Sequence, residues 1–350
     1  MSSGRRPPLV DDGALATWMD TEELAVGEPI SVERITSGHS NELFRVERGS
    51  LRLALRRPPR TPLSPTAHDM AREFRVLTAI REAGALVPVA TPIRLCADAS
   101  VIGAPFYLME LVDGLVARHN MPERLVTGDL GDDVATALVG ALVGIHGLAW
   151  RTSGLEDFGR PDGYVARQVE RWLGQLDRYR TRPLPDVDTV AAWLGAHQPP
   201  AQEPTLLHGD FTLVNVMLAR QPPIELVAVV DWELATIGDP LVDLGWLLGL
   251  WHEPGEPLLP GADAGVMGLP GVPGMPRRRT IAAMYADRSG RDLSHLGFYC
   301  ALALFKLACI MEGSYARYTA GTSDDPYFAA LEASVPALAH RAVMFTDGFV

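Results

Sequence analysis

Residues 205–248 read TLLHGDFTLVNVMLARQPPIELVAVVDWELATIGDPLVDLGWLL, and this stretch decides the fold. Three polar residues, Asp210, Asn215 and Asp231, interrupt otherwise apolar runs. Val216, Met217 and Leu218 form one short run, and 226–230, with three valines, forms another. Runs of that length and β-branched content predict buried strands. The link 219–225 carries Pro222-Pro223 and suits a hairpin connection. Antiparallel pairing then sets Asn215, just before the first strand, beside Asp231, just after the second. Asp210 precedes Asn215 by five residues, near enough for the loop to curl back. Taken singly, an Asp at a turn is an ordinary turn or cap residue, and Asp231 could serve as a helix N-cap. Taken together, one acid faces a substrate while an amide and a second acid share a metal.

That division of labour is what phosphoryl transfer requires. One carboxylate orients and deprotonates the attacking hydroxyl, and an Asn and an Asp hold Mg²⁺ against nucleotide phosphates. His208-Gly209-Asp210, Asn215, the apolar strand and Asp231-Trp232-Glu233 resemble the aminoglycoside phosphotransferase superfamily, which shares the protein-kinase fold. The resemblance implies an α+β, bilobal, kinase-like fold: a tail and short helix over 1–29, a nucleotide-binding lobe with a small antiparallel sheet over 30–112, and a mostly helical lobe over 113–350. It implies Asp210 as the catalytic residue, Asn215 and Asp231 as metal ligands, ATP or GTP as the nucleotide and Mg²⁺ as the metal. The implied partner is a small-molecule hydroxyl acceptor.

In the first lobe, 14–24 predicts a short helix behind a loose start, and 30–35 and 43–47 predict strands. The polar turn 36–41 resembles a nucleotide loop, with Gly38 its one glycine; a plain hairpin turn reads equally well. No G-x-x-x-x-G-K-[ST] occurs, which removes an ordinary P-loop. Residues 51–57 alternate leucines with Arg52, Ala54 and Arg56, a strand with two distinct faces. The resemblance puts Arg56 where a phosphate-binding Lys is expected; the alternative is an exposed basic edge strand blunted by prolines. The segment 67–84 predicts a helix, on which Glu73 matches the acid that pairs with the strand cation. Strands are expected at 93–97 and 104–111. Backbone groups around Glu110 and Leu111 match the family's hinge, which reads the nucleotide base.

In the second lobe, helices are expected over 134–150, 165–180, 187–197, 277–289 and 296–318. His146 reads as a core histidine, and Asp243 matches a position that braces the catalytic loop. Residues 253–276, rich in Gly and Pro, predict a long loop of the kind that forms lids. Tyr315 and Arg317 are candidates to line the acceptor pocket. Residues 55–59, 284–286 and 290–293, with Tyr299 and 305–307, resemble one branch in particular. That branch is the phosphotransferase domain carried at the N-terminus of some acyl-CoA dehydrogenases, and it implies a hydroxyacyl thioester or related metabolite as acceptor. An aminoglycoside-type antibiotic kinase and a nucleotide-binding module without turnover remain the alternatives.

Composition sets the outer bounds. With 31 basic against 43 acidic residues the net charge is −12, which argues against broad nucleic-acid binding. Cys96, Cys300 and Cys309 are scattered and odd in number, as expected of reduced core thiols in a cytoplasmic protein. The first residues, MSSGRRPPLVDDG, hold no apolar core of a secretory signal. The apolar run 296–311 is interrupted by Lys306 and reads as too short to span a bilayer, so no membrane partner is expected. Nothing in the sequence sets an oligomeric state.

Overall fold

The structure is a computed structural model that describes residues 8–35, 41–60, 69–116, 130–221, 223–253, 255–256, 274–322 and 326–348. The turn expected to carry Gly38, and most of the 253–276 loop, lie outside the described residues. The chain divides into two compact units: 1–84 with 89–113, and 85–88 with 114–350.

The first unit is built on one antiparallel sheet. Its strands are β1 (Ile30–Ile35), β2 (Glu42–Arg48), β3 (Leu51–Arg57), β4 (Pro92–Cys96) and β5 (Phe106–Glu110), in the order β1-β2-β3-β5-β4. Alternation along β3 works as the leucine spacing predicts. Leu53 and Leu55 enter a core with Phe44, Val46, Phe106 and Leu108. The opposite face of the sheet meets α2 (Met70–Glu82), which packs on β4 and β5 and buries Glu73, Val76, Leu77 and Ile80. Because β3 lies between β2 and β5, the exposed-edge reading of Arg56 is overturned.

The start of the chain also departs from expectation. Residues 8–29 are part of this unit, not a separate tail. Asp11 caps α1 (Asp12–Thr21) by accepting from the Ala14 amide at 2.8 Å. Val10, Leu15 and Met19 are buried in the core that holds Leu53 and Leu55. The buried Arg48 ties the end of β2 to this helix, donating to the Ala16 carbonyl at 2.8 Å, the Glu28 carbonyl at 3.0 Å and Asp20 at 2.6 Å. A sheet with a large apolar face must cover it, and α1 is the element at hand.

In the second unit, β6 (Leu115–Val116), β8 (Val216–Leu218) and β9 (Leu226–Val229) form an antiparallel sheet, and β7 (Thr205–Leu207) pairs with β10 (Thr236–Gly238). The helices are α3 (Leu130–His146), α4 (Tyr164–Leu176), α5 (Pro185–Ala196), α6 (Leu241–Leu250), α7 (Arg278–Ser289), α8 (Leu296–Thr319) and α9 (Leu331–Thr346). The helix expected over 134–150 instead ends at His146, and a separate helical turn, Trp150–Thr152, follows. Trp150 is fixed there by its indole N–H on the Pro204 carbonyl at 2.9 Å. Cys96, Cys300 and Cys309 are all buried and unpaired.

The 24-residue α8 agrees with the helix expected over 296–318 to within one residue, and by length and composition it could cross a membrane. In this fold 78% of its apolar window is buried, against α4, α5, α6 and α9. Gly245 lets α6 lie directly on it. A Cβ there would sit 2.5 Å from the Tyr299 carbonyl carbon and 2.6 Å from its oxygen, closer than real contacts allow. Gly245→Ala should therefore destabilise the protein by about 1–3 kcal/mol, the usual cost of overpacking. That outweighs the ~1 kcal/mol gained in helix propensity. Urea unfolding of the two proteins measures it, and an unchanged or raised midpoint would mean that the helices separate freely.

Candidate active site

The site in the second unit begins where β7 ends. Gly209 has φ +85°, and a Cβ on it would meet the Leu234 carbonyl oxygen at 2.4 Å, so only glycine fits. The turn it makes is held from below by Asp243, in the first turn of α6. One carboxylate oxygen accepts the His208 amide at 2.7 Å, and the other accepts the Gly209 amide at 2.9 Å. Burial alone would push the Asp243 carboxyl up. The neighbouring His146 and His208 rings and the His208 amide outweigh it and hold the group below the usual range. His146 Nε2 approaches Asp243 at 3.5 Å, long for a hydrogen bond, while its Nδ1 meets the Tyr285 hydroxyl at 2.7 Å. His146 is thus the buried core histidine expected, with burial lowering its pKa. The His208 ring spans the Asp210 amide, at 3.3 Å from Nδ1, and the Val230 carbonyl, at 2.9 Å from Nε2. An amide only donates and a carbonyl only accepts, so the ring proton sits on Nε2.

The hairpin expected from the sequence is present. Val216 pairs with Val229, and the Asn215 carbonyl accepts the Val230 amide at 2.9 Å. Asn215 therefore lies opposite Val230, one residue short of Asp231. Asp231 itself takes a left-handed conformation, φ +67°, rare for a residue with a Cβ. Strain of that kind, of order 1–3 kcal/mol, persists where the surroundings over-determine it. The Asn215 amide nitrogen donates to both the Asp210 carbonyl and the Asp210 Oδ2, each at 2.8 Å. With its nitrogen committed, Asn215 can offer a cation only its oxygen.

Asp210 is anchored from two sides, since the Trp246 indole N–H donates to its Oδ1 at 2.7 Å. Burial raises the Asp210 pKa above the ordinary carboxylate value; Lys306, His208 and the Asn215 bond oppose the rise, and the Asp231 charge adds to it. Asp210, Asn215 and Asp231 are thus brought together around one turn and one hairpin. Among the described residues no cluster of three or more His, Cys, Asp or Glu could hold a metal. An amide oxygen and a carboxylate suit Mg²⁺, which takes few protein ligands and completes its shell with phosphate and water.

In the first unit, Arg56 Nε lies 2.7 Å from Glu73 Oε2. Glu73 is 2% exposed and also accepts from the Tyr107 hydroxyl at 3.0 Å and the Asn41 amide at 3.2 Å. Glu110 is occupied locally. Its amide donates to the Thr91 carbonyl at 2.9 Å, and its carboxylate accepts the Thr91 hydroxyl at 2.8 Å. Leu111 follows the end of β5. Gly38 lies outside the described residues. Tyr315 is stacked under Arg182 at 4.2 Å, and Arg317 bonds Ser314 at 3.1 Å.

Sequence reasoning missed Trp246, Lys306, Tyr107 and Asn41. Only Lys306 left a signal, as the lone cation inside the apolar run of α8.

A profile of the family described as the phosphotransferase enzyme family (APH) matches residues 31–293. Curated relatives include acyl-CoA dehydrogenase family member 11 of Gallus gallus, 34% identical over 298 residues, and family member 10 of Mus musculus, 33% identical over 298 residues. These matches cover 84% of this chain but 38% and 27% of the relatives, so the chain spans less than two fifths of their length. A Ralstonia eutropha crystal structure, provisionally named an aminoglycoside phosphotransferase, superposes with a TM-score of 0.79 at 30% identity, covering 97% of this chain and 98% of that one. Spectinomycin phosphotransferase bound to ADP and spectinomycin (TM-score 0.62, 10% identity, 95% and 99% covered) shares the fold. So does aminoglycoside 2'-phosphotransferase-IIIa bound to GDP (0.59, 13%, 97% and 100%).

The lowered pKa of Asp243 fixes a pH dependence. Its stabilisation is fully present above the unfolded value of about 3.9 and is lost as pH falls through the lower folded value. Asp243→Asn should cost about 1.5–3 kcal/mol at pH 7, because one of the two amides then faces an NH₂ group. The variant should also lose less stability than wild type on acidification below about pH 4. Urea unfolding at pH 7 and in acid tests this, and parallel losses in both proteins would remove Asp243 from the acid transition.

Proposed function

We propose that this chain, which belongs to the phosphotransferase enzyme family, is a small-molecule kinase that uses ATP and Mg²⁺ to phosphorylate a hydroxyl group. The observation that carries the reading is the Asp210–Asn215 pair, with Asn215 locking both the backbone and the carboxylate of Asp210. As the acceptor oxygen bonds to the terminal phosphorus and the P–O bond to the nucleotide breaks, Asp210 takes the hydroxyl proton. Burial of Asp210 raises its basicity toward that task. Bound Mg²⁺ would neutralise charge on the phosphates, held by the Asn215 oxygen and the Asp231 carboxylate. In the first unit Arg56 would bind phosphate, its guanidinium steadied by Glu73. ADP in the spectinomycin enzyme favours ATP, and GDP in the 2'-phosphotransferase keeps GTP as the second candidate.

For the acceptor, a specific feature favours a negatively charged molecule over a cationic aminoglycoside. A cavity of about 500 Å³ in the second unit is lined by Arg160, Arg167 and Arg171 against one acid, Glu170, with Tyr164, Gln168 and Thr236. Among the described residues no carboxylate forms an ion pair with these arginines. Thr236 pairs with Leu207, the residue before His208. A hydroxyacyl thioester, whose carrier bears phosphates, matches that charge, and it matches the relatives' names.

Three measurements test the reading. Asp210→Asn should retain nucleotide binding while turnover drops about 10²–10⁴-fold, the usual size of an acid/base contribution; wild-type turnover would exclude Asp210 as the base. In Asp231→Ala, nucleotide affinity should no longer respond to Mg²⁺ in calorimetric titration; an undiminished response would take Asp231 out of the metal site. Arg56→Ala and Glu73→Gln should each lower kcat/KM for ATP, and the double variant should lose less than the sum because the pair shares one task. Strictly additive losses would separate the two roles.

A further inference from the structure

Arg56 and Tyr107 stand directly opposite each other where β3 pairs with β5, so both side chains leave the sheet on the same face. Glu73, in the first turn of α2, meets them there. Its Oε2 lies 2.7 Å from Arg56 Nε and accepts the Tyr107 hydroxyl at 3.0 Å, while its Oε1 accepts the Asn41 amide at 3.2 Å. Glu73 and Tyr107 are each 2% exposed. The Phe74 ring meets Tyr107 edge-on, with centroids 6.0 Å apart, and so helps to fix where the phenol points. A Phe in β5 would fill the same space, so packing alone does not call for the hydroxyl. What the hydroxyl adds is direction. A carboxylate with one cation partner can turn about its last carbon–carbon bond, whereas donors on both oxygens remove that freedom. An arginine needs this more than a lysine does. An ammonium meets phosphate as a point charge, but a guanidinium is a planar fork whose plane has to be set.

We propose that Tyr107 and Asn41 are positioning residues for the nucleotide phosphates. They hold the Glu73 carboxylate in one plane, Glu73 sets the plane of the Arg56 guanidinium, and Arg56 presents that plane to phosphate. Asn41 leads directly into β2 and closes the polar stretch 36–41 in the sequence. Glu73 therefore ties the end of that stretch and the phosphate cation to one carboxylate. The inference rests on the reading of Arg56 as the phosphate-binding residue, and it goes further by assigning the two residues that let an arginine serve there.

Calorimetric titration of the full chain with MgATP tests this without an acceptor. Tyr107→Phe keeps the ring and removes one oxygen. It should raise Kd for MgATP about tenfold, the effect of losing a hydrogen bond to a charged group. Asn41→Ala should raise it in the same direction. Neither variant should change Kd for adenosine, which carries no phosphate, measured by displacement of MgATP. Because both residues act through Arg56, Tyr107→Phe in an Arg56→Ala background should shift Kd for MgATP by less than about twofold. An unchanged Kd for MgATP in either single variant overturns the inference and leaves the kinase reading intact. An equal loss toward adenosine, the mark of a general structural defect, does the same, and so does an undiminished loss in the Arg56→Ala background. Should Tyr107→Phe not fold, Asn41→Ala decides by the same three measurements. Wild-type protein that binds neither MgATP nor MgGTP overturns both readings.

Discussion

The buried carboxylate of Asp243 is the constraint on which the rest of the second unit depends. A turn of three residues between a short strand and a hairpin has little of its own to hold it. Two amide hydrogen bonds to a charged acceptor fix it to the start of α6. Bonds of this type are roughly twice as strong as neutral ones, and the helix N-terminus favours the negative charge. His146 and Tyr285 stand behind the carboxylate from α3 and α7, so four separate elements meet at a group with no exposure. Removing the charge would free the turn, and Asp210 would lose its place with it.

Asp210 itself is held by partners of a different kind. Asn215 comes from the same loop, whereas Trp246 comes from α6. A carboxylate with one donor on each oxygen cannot rotate without breaking a bond. The arrangement favours a fixed orientation toward an incoming hydroxyl, which is where positioning contributes most to phosphoryl transfer. In the first unit Glu73 has the corresponding role. It gathers Arg56, Tyr107 and Asn41 from β3, β5 and the start of β2 onto α2. Sheet and helix are thereby joined through one buried acid.

Buried charges recur in the second unit, and each has partners that account for it. Arg278 donates to the Leu248 and Trp251 carbonyls and to Glu256, and Arg341 joins the same Trp251 carbonyl and Glu256. Arg182 meets the fully buried Glu312 through two of its nitrogens. These clusters link α6 to α7 and α9, and the start of α5 to α8. An ion pair left half-made in such surroundings would cost about 3–5 kcal/mol, so the partners are coupled choices.

The sequence by itself determined the local geometry. Leucine alternation on β3, the apolar stripe of α2 and the paired runs of β8 and β9 each repeat within a few residues, where periodicity reports which face is buried. For that reason Asp210, Asn215 and Asp231 were legible as neighbours, whereas Arg56 and Glu73 were matched to each other through the family resemblance. The tertiary structure alone decided what surrounds them. Trp246 reaches Asp210 across 36 positions, Lys306 reaches Gly209 across 97, and Tyr285 reaches His146 across 139. It also decided that β3 is a central strand, that residues 8–29 cover its core face, and that Asp231 turns left-handed one residue past its expected partner. Contacts of that span leave no period in the chain, because they depend on how whole helices and strands pack rather than on the spacing of neighbouring residues.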